Sequence, residues 1–377
     1  MDASEGRPPL VTCPHCDSIV PSGDFCGHCG AQIATGSVRR TNAYTAVPTQ
    51  RVAHLAILST LFPHLPRRGA GPFRIALIAG AALVALLAGM HLFAPATGAA
   101  VLVLPVLYLM YLYEVEVYES EPWLVLGATI VAGAVLGLAF ANLTGGPLSE
   151  LALTGDRETA FVLAGVAIPV VAQLLMLAGP LFLYLARDRF REPLDGLTFG
   201  AASALGFTLT SSLTALWPVL VGPLVAEGSP IDWGLRLARA ALLVALINAC
   251  TTAVVAASIW LHRYDRRRTT RPWTSSILAA LVVAFAVQVA AGVTGFFVDD
   301  LVFDVVILAV IAAALLLYLR LVIHDALLVE GAEHEIGPDG PCPECHRLVP
   351  AMAFCPACGA ARAAAPKQVR PRVAQGF

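Results

Sequence analysis

Residues 273–297 read WTSSILAALVVAFAVQVAAGVTGFF, with no Asp, Glu, Lys or Arg in the run and one amide, Gln288, near its middle. A helix rises 1.5 Å per residue, so about 20 apolar residues cross the roughly 30 Å hydrocarbon core of a bilayer. The stretch predicts a transmembrane helix. Lipid tolerates only helices and closed barrels, and the alternation that marks a barrel strand is absent.

Working outward, the same texture extends over residues 73–323. It divides into eight expected spans: 73–94, 96–113, 122–143, 159–186, 197–221, 237–261, 273–297 and 301–323. Pro95, Pro122 and Pro272 punctuate their ends. The first two spans are expected as a tight antiparallel hairpin. The fold class is all-α, a polytopic membrane bundle. Composition agrees: 58% of residues are apolar and 13% charged, against roughly 25% charged in soluble domains, and mean hydropathy is +0.75. This excludes a soluble enzyme and a disordered tail protein. A net charge of −2 leaves no basic surplus to neutralise phosphates, so no nucleic-acid partner is expected.

Two polar ends flank the block. The expected division is a metal ribbon over 1–36, a linker over 37–72, the membrane domain, a linker over 324–340, and a second ribbon with its tail over 341–377. Residues 52–62 (VAHLAILSTLF) are too short to span and predict a helix lying at the lipid surface. The first 30 residues have no apolar signal-peptide core. Arg67, Arg68, Arg74, Arg187, Arg189, Arg191, Arg263, Arg266, Arg267, Arg268 and Arg271 fall on one face of the bundle, against Arg157, Arg236 and Arg239 on the other. The positive-inside rule puts the first group, and both termini, in the cytoplasm of a cell bounded by this plasma membrane.

Both ends carry paired cysteines. Cys13-Pro-His-Cys16 and Cys26-Gly-His-Cys29 stand nine residues apart, as do Cys342-Pro-Glu-Cys345 and Cys355-Pro-Ala-Cys358. The segments align without a gap at an offset of 329, and ten of nineteen positions match, so one module is used twice. Each Cys-x-x-Cys aims two thiolates at one point, and two pairs close a tetrahedral zinc site. Two structural zinc ions are the expected cofactors. Disulfides suit a cytoplasmic location poorly. His15, His28 and His346 are spare potential ligands. Gly30 and Gly359 follow the second pair of each module, where positive φ is often needed. These modules resemble the short zinc ribbons common in bacterial proteins. Their acidic flanks favour protein partners over nucleic acid.

Inside the bundle, four consecutive spans hold a polar residue near mid-depth: Gln173, Ser211, Asn248 and Gln288. Amides in lipid need partners, which predicts that these four face one another. Ser211 also has a simpler alternative, a bond back to its own preceding turn. No Asp, Glu, His or Lys lies at mid-depth, so general acid–base work has no candidate there.

A family resemblance rests on Tyr113-Glu114 through Glu119-x-Glu121-Pro122, Arg191-x-Pro193-x-Asp195-Gly196, Gly200 and Gly206-Phe207. Residues 108 to about 292 resemble the PrsW-type intramembrane proteases. The resemblance implies a Glu-Glu-x-x-Lys motif where this chain reads Ala172-Gln173-x-x-Met176 after Pro169. It implies Phe-x-x-x-Glu where Phe207-x-x-x-Ser211 stands, and two histidines where Asn248 and Gln288 stand. Every expected active residue is replaced, so no catalytic residue is assigned. The expectation is a pseudoprotease that binds membrane helices or cytoplasmic protein partners within the lipid bilayer. The alternatives are an active protease using Glu114, Glu116, Glu119 or Glu121, and a small-molecule transporter.

Overall fold

A computed structural model describes residues 8–14, 16–33, 71–114, 123–154, 157–186, 193–223, 229–262, 273–274, 276–298, 300–331, 336–342 and 344–361. The surface helix expected over 52–62, the acidic residues Glu116, Glu119 and Glu121, His15, and every arginine of the larger group except Arg74 lie outside them.

The bundle comprises α1 (Gly71–Gly89), α2 (Phe93–Glu114), α3 (Trp123–Thr154), α4 (157–186), α5 (Pro193–Ala215), a short α6 (Trp217–Leu220), α7 (230–261), α8 (Ile277–Phe297) and α9 (Leu301–Gly331). Two small hairpins flank it, β1 (Leu10–Thr12) with β2 (Ile19–Pro21) and β3 (Asp339–Pro341) with β4 (Leu348–Pro350). Seven of the helices are long and apolar enough to cross a membrane. The fifth expected span is also a helix, the 23-residue α5, but its Gly, Ser and Thr content leaves it less apolar. It is shielded instead. Phe199, Ala202, Ser203, Ala204 and Phe207 on α5 are buried, and the helix lies between α3 and α7.

Glycine explains that position. A Cβ on Gly206 would stand 2.2 Å from the carbonyl oxygen of Ile130 on α3, and one on Gly200 would stand 2.8 Å from Ala253 Cα on α7. Such approach of two backbones is available only without side chains, the usual device of helix packing in lipid. Oxygens cross the gap as well. Thr210 Oγ1 donates to Ala134 O at 2.6 Å, and Ser203 Oγ to Met176 O on α4 at 2.8 Å. Helix α7 is the bundle's axis: 78% of its membrane-spanning stretch is buried.

Several helix ends differ from those read on hydropathy. The first turn falls at Met90–Leu92, not at Pro95. His91 takes a left-handed φ of 58°, and Leu92 N donates to Leu87 O while His91 N donates to Ala88 O, a Schellman closure. Pro95 sits in the first turn of α2, where its missing N–H costs nothing. Helix α7 begins at Pro230, capped by Ser229, and α8 at Ile277, capped by Ser276. The cap hydroxyls decide these starts, whereas hydropathy placed them at 237 and 273. Helix α3 runs on to Thr154 and α9 to Gly331, beyond the lengths lipid requires.

Two stretches widen to π-helix: Phe161–Ala167 within α4 and Ala238–Leu243 within α7. The first immediately precedes Pro169, whose ring nitrogen cannot bond Gly165 O in the α pattern. There α8 comes close, since a Cβ on Gly292 would meet Gly165 O at 2.6 Å.

Candidate functional site

The two cysteine modules form near-identical knuckles. In the first, Cys13 N donates to Ser18 O and Asp17 N to Cys13 O; Cys26 N donates to Ala31 O and Gly30 N to Cys26 O. The second repeats every bond: Cys342 N to Arg347 O, His346 N to Cys342 O, Cys355 N to Ala360 O and Gly359 N to Cys355 O. Each knuckle closes on a left-handed residue. Gly30 (φ 70°) and Gly359 (φ 68°) do so as the sequence led one to expect, and Asp17 (φ 56°) and His346 (φ 57°) do so at the first pairs. Asp and His are among the few side-chain-bearing residues that enter this region readily.

The four sulfurs of each module lie within 4.8 Å of one another. Cys13 and Cys29 are 3.8 Å apart, Cys16 and Cys26 3.8 Å, Cys342 and Cys358 3.7 Å, Cys345 and Cys355 3.9 Å. Four thiolates at the 2.3 Å zinc–sulfur distance of a tetrahedron would be separated by about 3.8 Å. None of the cysteines is in a disulfide. Both clusters can therefore hold a metal ion. Packing thiols this tightly splits their acidities. The hydrogen bond from Cys29 pulls Cys26 down to about 4, and the same contact, with burial after it, pushes Cys29 up. Cys342 is likewise lowered, by its bond with Cys355 first, and Cys355 is raised to about 12 by the same contact.

The modules also hold each other. Phe25 N donates to Pro356 O and Phe354 N to Gly27 O, both at 2.9 Å. Residue 25 corresponds to 354 and residue 27 to 356 in the repeat, so the contact has local two-fold symmetry. Gly27 lies against Met352 and Gly23 against Pro356, again as a symmetric pair. Met352 joins the core of the first module with Cys13, Val20 and Cys26. Ala353, Phe354 and Ala361 join the main bundle core with Val322, Ile323 and Ala326 near the end of α9. The clasped pair therefore rests on the bundle.

The second site is buried between α4, α5, α7 and α8. Gln288 Nε2 donates to Gln173 Oε1 at 3.0 Å and to Asn248 Oδ1 at 2.9 Å. Gln173, Asn248 and Gln288 are all buried. Ser211 is placed differently. It is half-buried and its hydroxyl donates to Thr208 O at 3.2 Å on its own helix, the bond that had been its alternative. Thr208 takes its place, accepting from Asn248 Nδ2 at 3.0 Å. Two further members come from α7. Thr251 Oγ1 donates to Gln173 Oε1 at 2.8 Å, and Thr252 Oγ1 accepts from Gln173 Nε2 at 3.3 Å. Their signal was spacing, since they follow Asn248 by three and four residues and share its helix face.

These groups are carboxamides and hydroxyls engaged with one another. A buried network of this kind is stable only when its members are satisfied, and each named amide here has a partner.

A family model described as PrsW family intramembrane metalloprotease matches residues 121–319, more than half of the chain. No curated protein matches, and no solved structure matches. A metalloprotease needs a catalytic metal, and such ions are held by imidazole, carboxylate or thiolate. The mid-depth residues offer none of these, so they do not fit that metal. Among the described residues, the clusters of His, Cys, Asp and Glu able to hold an ion are the two sets of four cysteines. What the match covers is the scaffold, from the start of α3 into α9, with the glycine-lined α5 and the polar face of α7 inside it. The chain belongs to the PrsW family of intramembrane metalloproteases.

Proposed function

We propose that this chain is a pseudoprotease, a catalytically silent member of its family that binds membrane helices or cytoplasmic proteins. The observation that carries this reading is the network of Gln173, Asn248, Thr251 and Gln288, which is closed on itself and lacks an ionisable group. Activating water for peptide hydrolysis takes a base or a metal-bound hydroxide. Amides and hydroxyls provide neither. A closed network also favours binding over transport, which takes a midplane site that substrate can enter.

The test is a set of single-span peptides carrying a dye and a quencher, incubated with the purified protein and added zinc. No cleavage is expected. Changing Gln173 and Asn248 to alanine should lower the unfolding temperature or weaken peptide binding, because it leaves the buried amide of Gln288 with Thr251 Oγ1 alone of its three acceptors. Cleavage that stops with a chelator would show that other residues, Glu114 and its neighbours first, are catalytic.

The reading extends to metal and location. Zinc is the ion that four cysteines at this spacing suit best. Both ribbons are assigned to the cytoplasmic side of the plasma membrane. The clasp supports a shared side, which takes an even number of crossings, with α5 as the eighth. A membrane-impermeant thiol reagent applied to intact cells should therefore label neither ribbon, and should reach both after permeabilisation. Labelling of either ribbon in sealed cells would reverse the assignment.

A further inference from the structure

At the end of the bundle remote from the ribbons, where α8 ends and α7 and α9 begin, lies a cavity of about 730 Å³. Its polar lining consists of Ser229, Asp232, Arg236, Arg239 and Asp304. Asp304 is the informative member. Its side chain is only 6% exposed, and Oδ2 accepts from Arg239 Nε. The other oxygen, Oδ1, is buried with no hydrogen-bond donor among the described residues. Buried carboxylate oxygens in folded proteins nearly always have a donor, so a group that is absent here belongs beside it.

Charge defines that group. Two guanidinium and two carboxylate side chains line the cavity, a neutral total that complements a zwitterion better than a simple anion or cation. An ammonium has three donors, one of which can serve Asp304 Oδ1. Arg236 is exposed at the mouth and can pair a phosphate through two parallel N–H groups. The Ser229 hydroxyl accepts from Asp232 N and keeps its own proton to donate. The remaining wall is apolar and includes Trp233, Val298 and Leu301. Around it, Trp217, Ile231, Val302 and Phe303 are exposed apolar side chains at the helix ends, where headgroups of a bilayer lie.

We propose that this cavity binds a phosphate ester bearing a primary ammonium group, the headgroup chemistry of phosphatidylethanolamine. The ammonium sits against Asp304 Oδ1, the phosphate against Arg236, and the acyl chains leave along the apolar wall into lipid.

Full-length protein in detergent is titrated with phosphatidylethanolamine, phosphatidylcholine and phosphatidylglycerol of identical chains, and retained lipid is read by native mass spectrometry. Phosphatidylethanolamine should be retained at least about tenfold better than either of the others. Phosphatidylcholine keeps both charges but has no N–H to give, and phosphatidylglycerol has no cation. Arg236→Gln should weaken retention about tenfold at an unchanged unfolding temperature, because the side chain is exposed. Asp304→Asn should erase the preference over phosphatidylcholine. If that variant fails to fold because Arg239 loses its partner, Arg236→Gln still decides. Soluble phosphoethanolamine is run in parallel; competition by it supports the site chemistry and assigns the free headgroup as a sufficient ligand. Equal retention of all three lipids, or full retention by Arg236→Gln, overturns the proposal. So does the absence of any retained lipid, which would leave water as the donor to Asp304.

Discussion

Purified protein should carry two zinc ions per chain, and Cys16→Ser or Cys345→Ser should each remove about one. The expected effect is large because a ribbon of about twenty residues has almost no apolar core: Cys13, Val20 and Cys26, with Met352 supplied by the other ribbon, fill the first. Metal binding in comparable zinc peptides contributes on the order of 10–16 kcal/mol at neutral pH, more than such a core can replace. Elemental analysis by mass spectrometry of washed protein gives the ratio. The symmetric hydrogen bonds of Phe25 and Phe354 add a second readout. A ribbon that loses its ion no longer presents Gly27 O or Pro356 O, so protease should cut both ends faster after either substitution. A full complement of two ions in either variant would mean that its cysteine is not a ligand.

Gly206→Leu should abolish recovery of folded protein, whereas Gly145→Leu should be tolerated. The added Cβ at Gly206 would meet the backbone oxygen of Ile130 at 2.2 Å, and neither partner is a side chain that can swing aside. Overpacking costs about 1–3 kcal/mol where neighbours can relax. Here the same crossing also holds Gly133 against Ser203 O and Gly137 against Phe207 O, both at 2.2 Å, so the loss should exceed that range. At Gly145, on the same helix α3, a Cβ meets nothing within 4 Å. Size-exclusion profile and unfolding temperature in detergent separate the two. Similar behaviour of both variants would show that α3 and α5 do not cross here.

How much of this was visible in the sequence depends on the range of the interaction. The cysteine repeat is local, and its knuckle bonds, left-handed glycines and sulfur geometry follow from spacing alone. Spans were legible because lipid imposes one length on every apolar run. Their ends were not, because hydropathy reports depth in lipid while a helix stops at a cap; Ser229, Ser276 and the left-handed His91 carry that information in one residue each. The mid-depth amides were legible as residues that must find partners. Which partners they found depended on helix rotation, and that excluded Ser211 and brought in Thr208, Thr251 and Thr252. The π-helical turns and the two-fold clasp left no trace in periodicity. The clasp joins two modules offset by 329 positions and depends on the complete path of the bundle between them.

That separation gives the clasp a meaning in time. The first ribbon is made before the membrane helices, and the surface that caps it only after them. At roughly 5–20 residues per second, 329 residues take on the order of 15–65 s. Through that interval the first module can bind its metal, but the faces around Gly23 and Gly27 have no cover. They are closed only when the final helix has been inserted and Met352 and Pro356 arrive. A chain that threads one helix too few delivers its second ribbon to the opposite side of the membrane from the first and leaves the first one open. The joined ribbons thus distinguish a correctly threaded molecule from a misthreaded one.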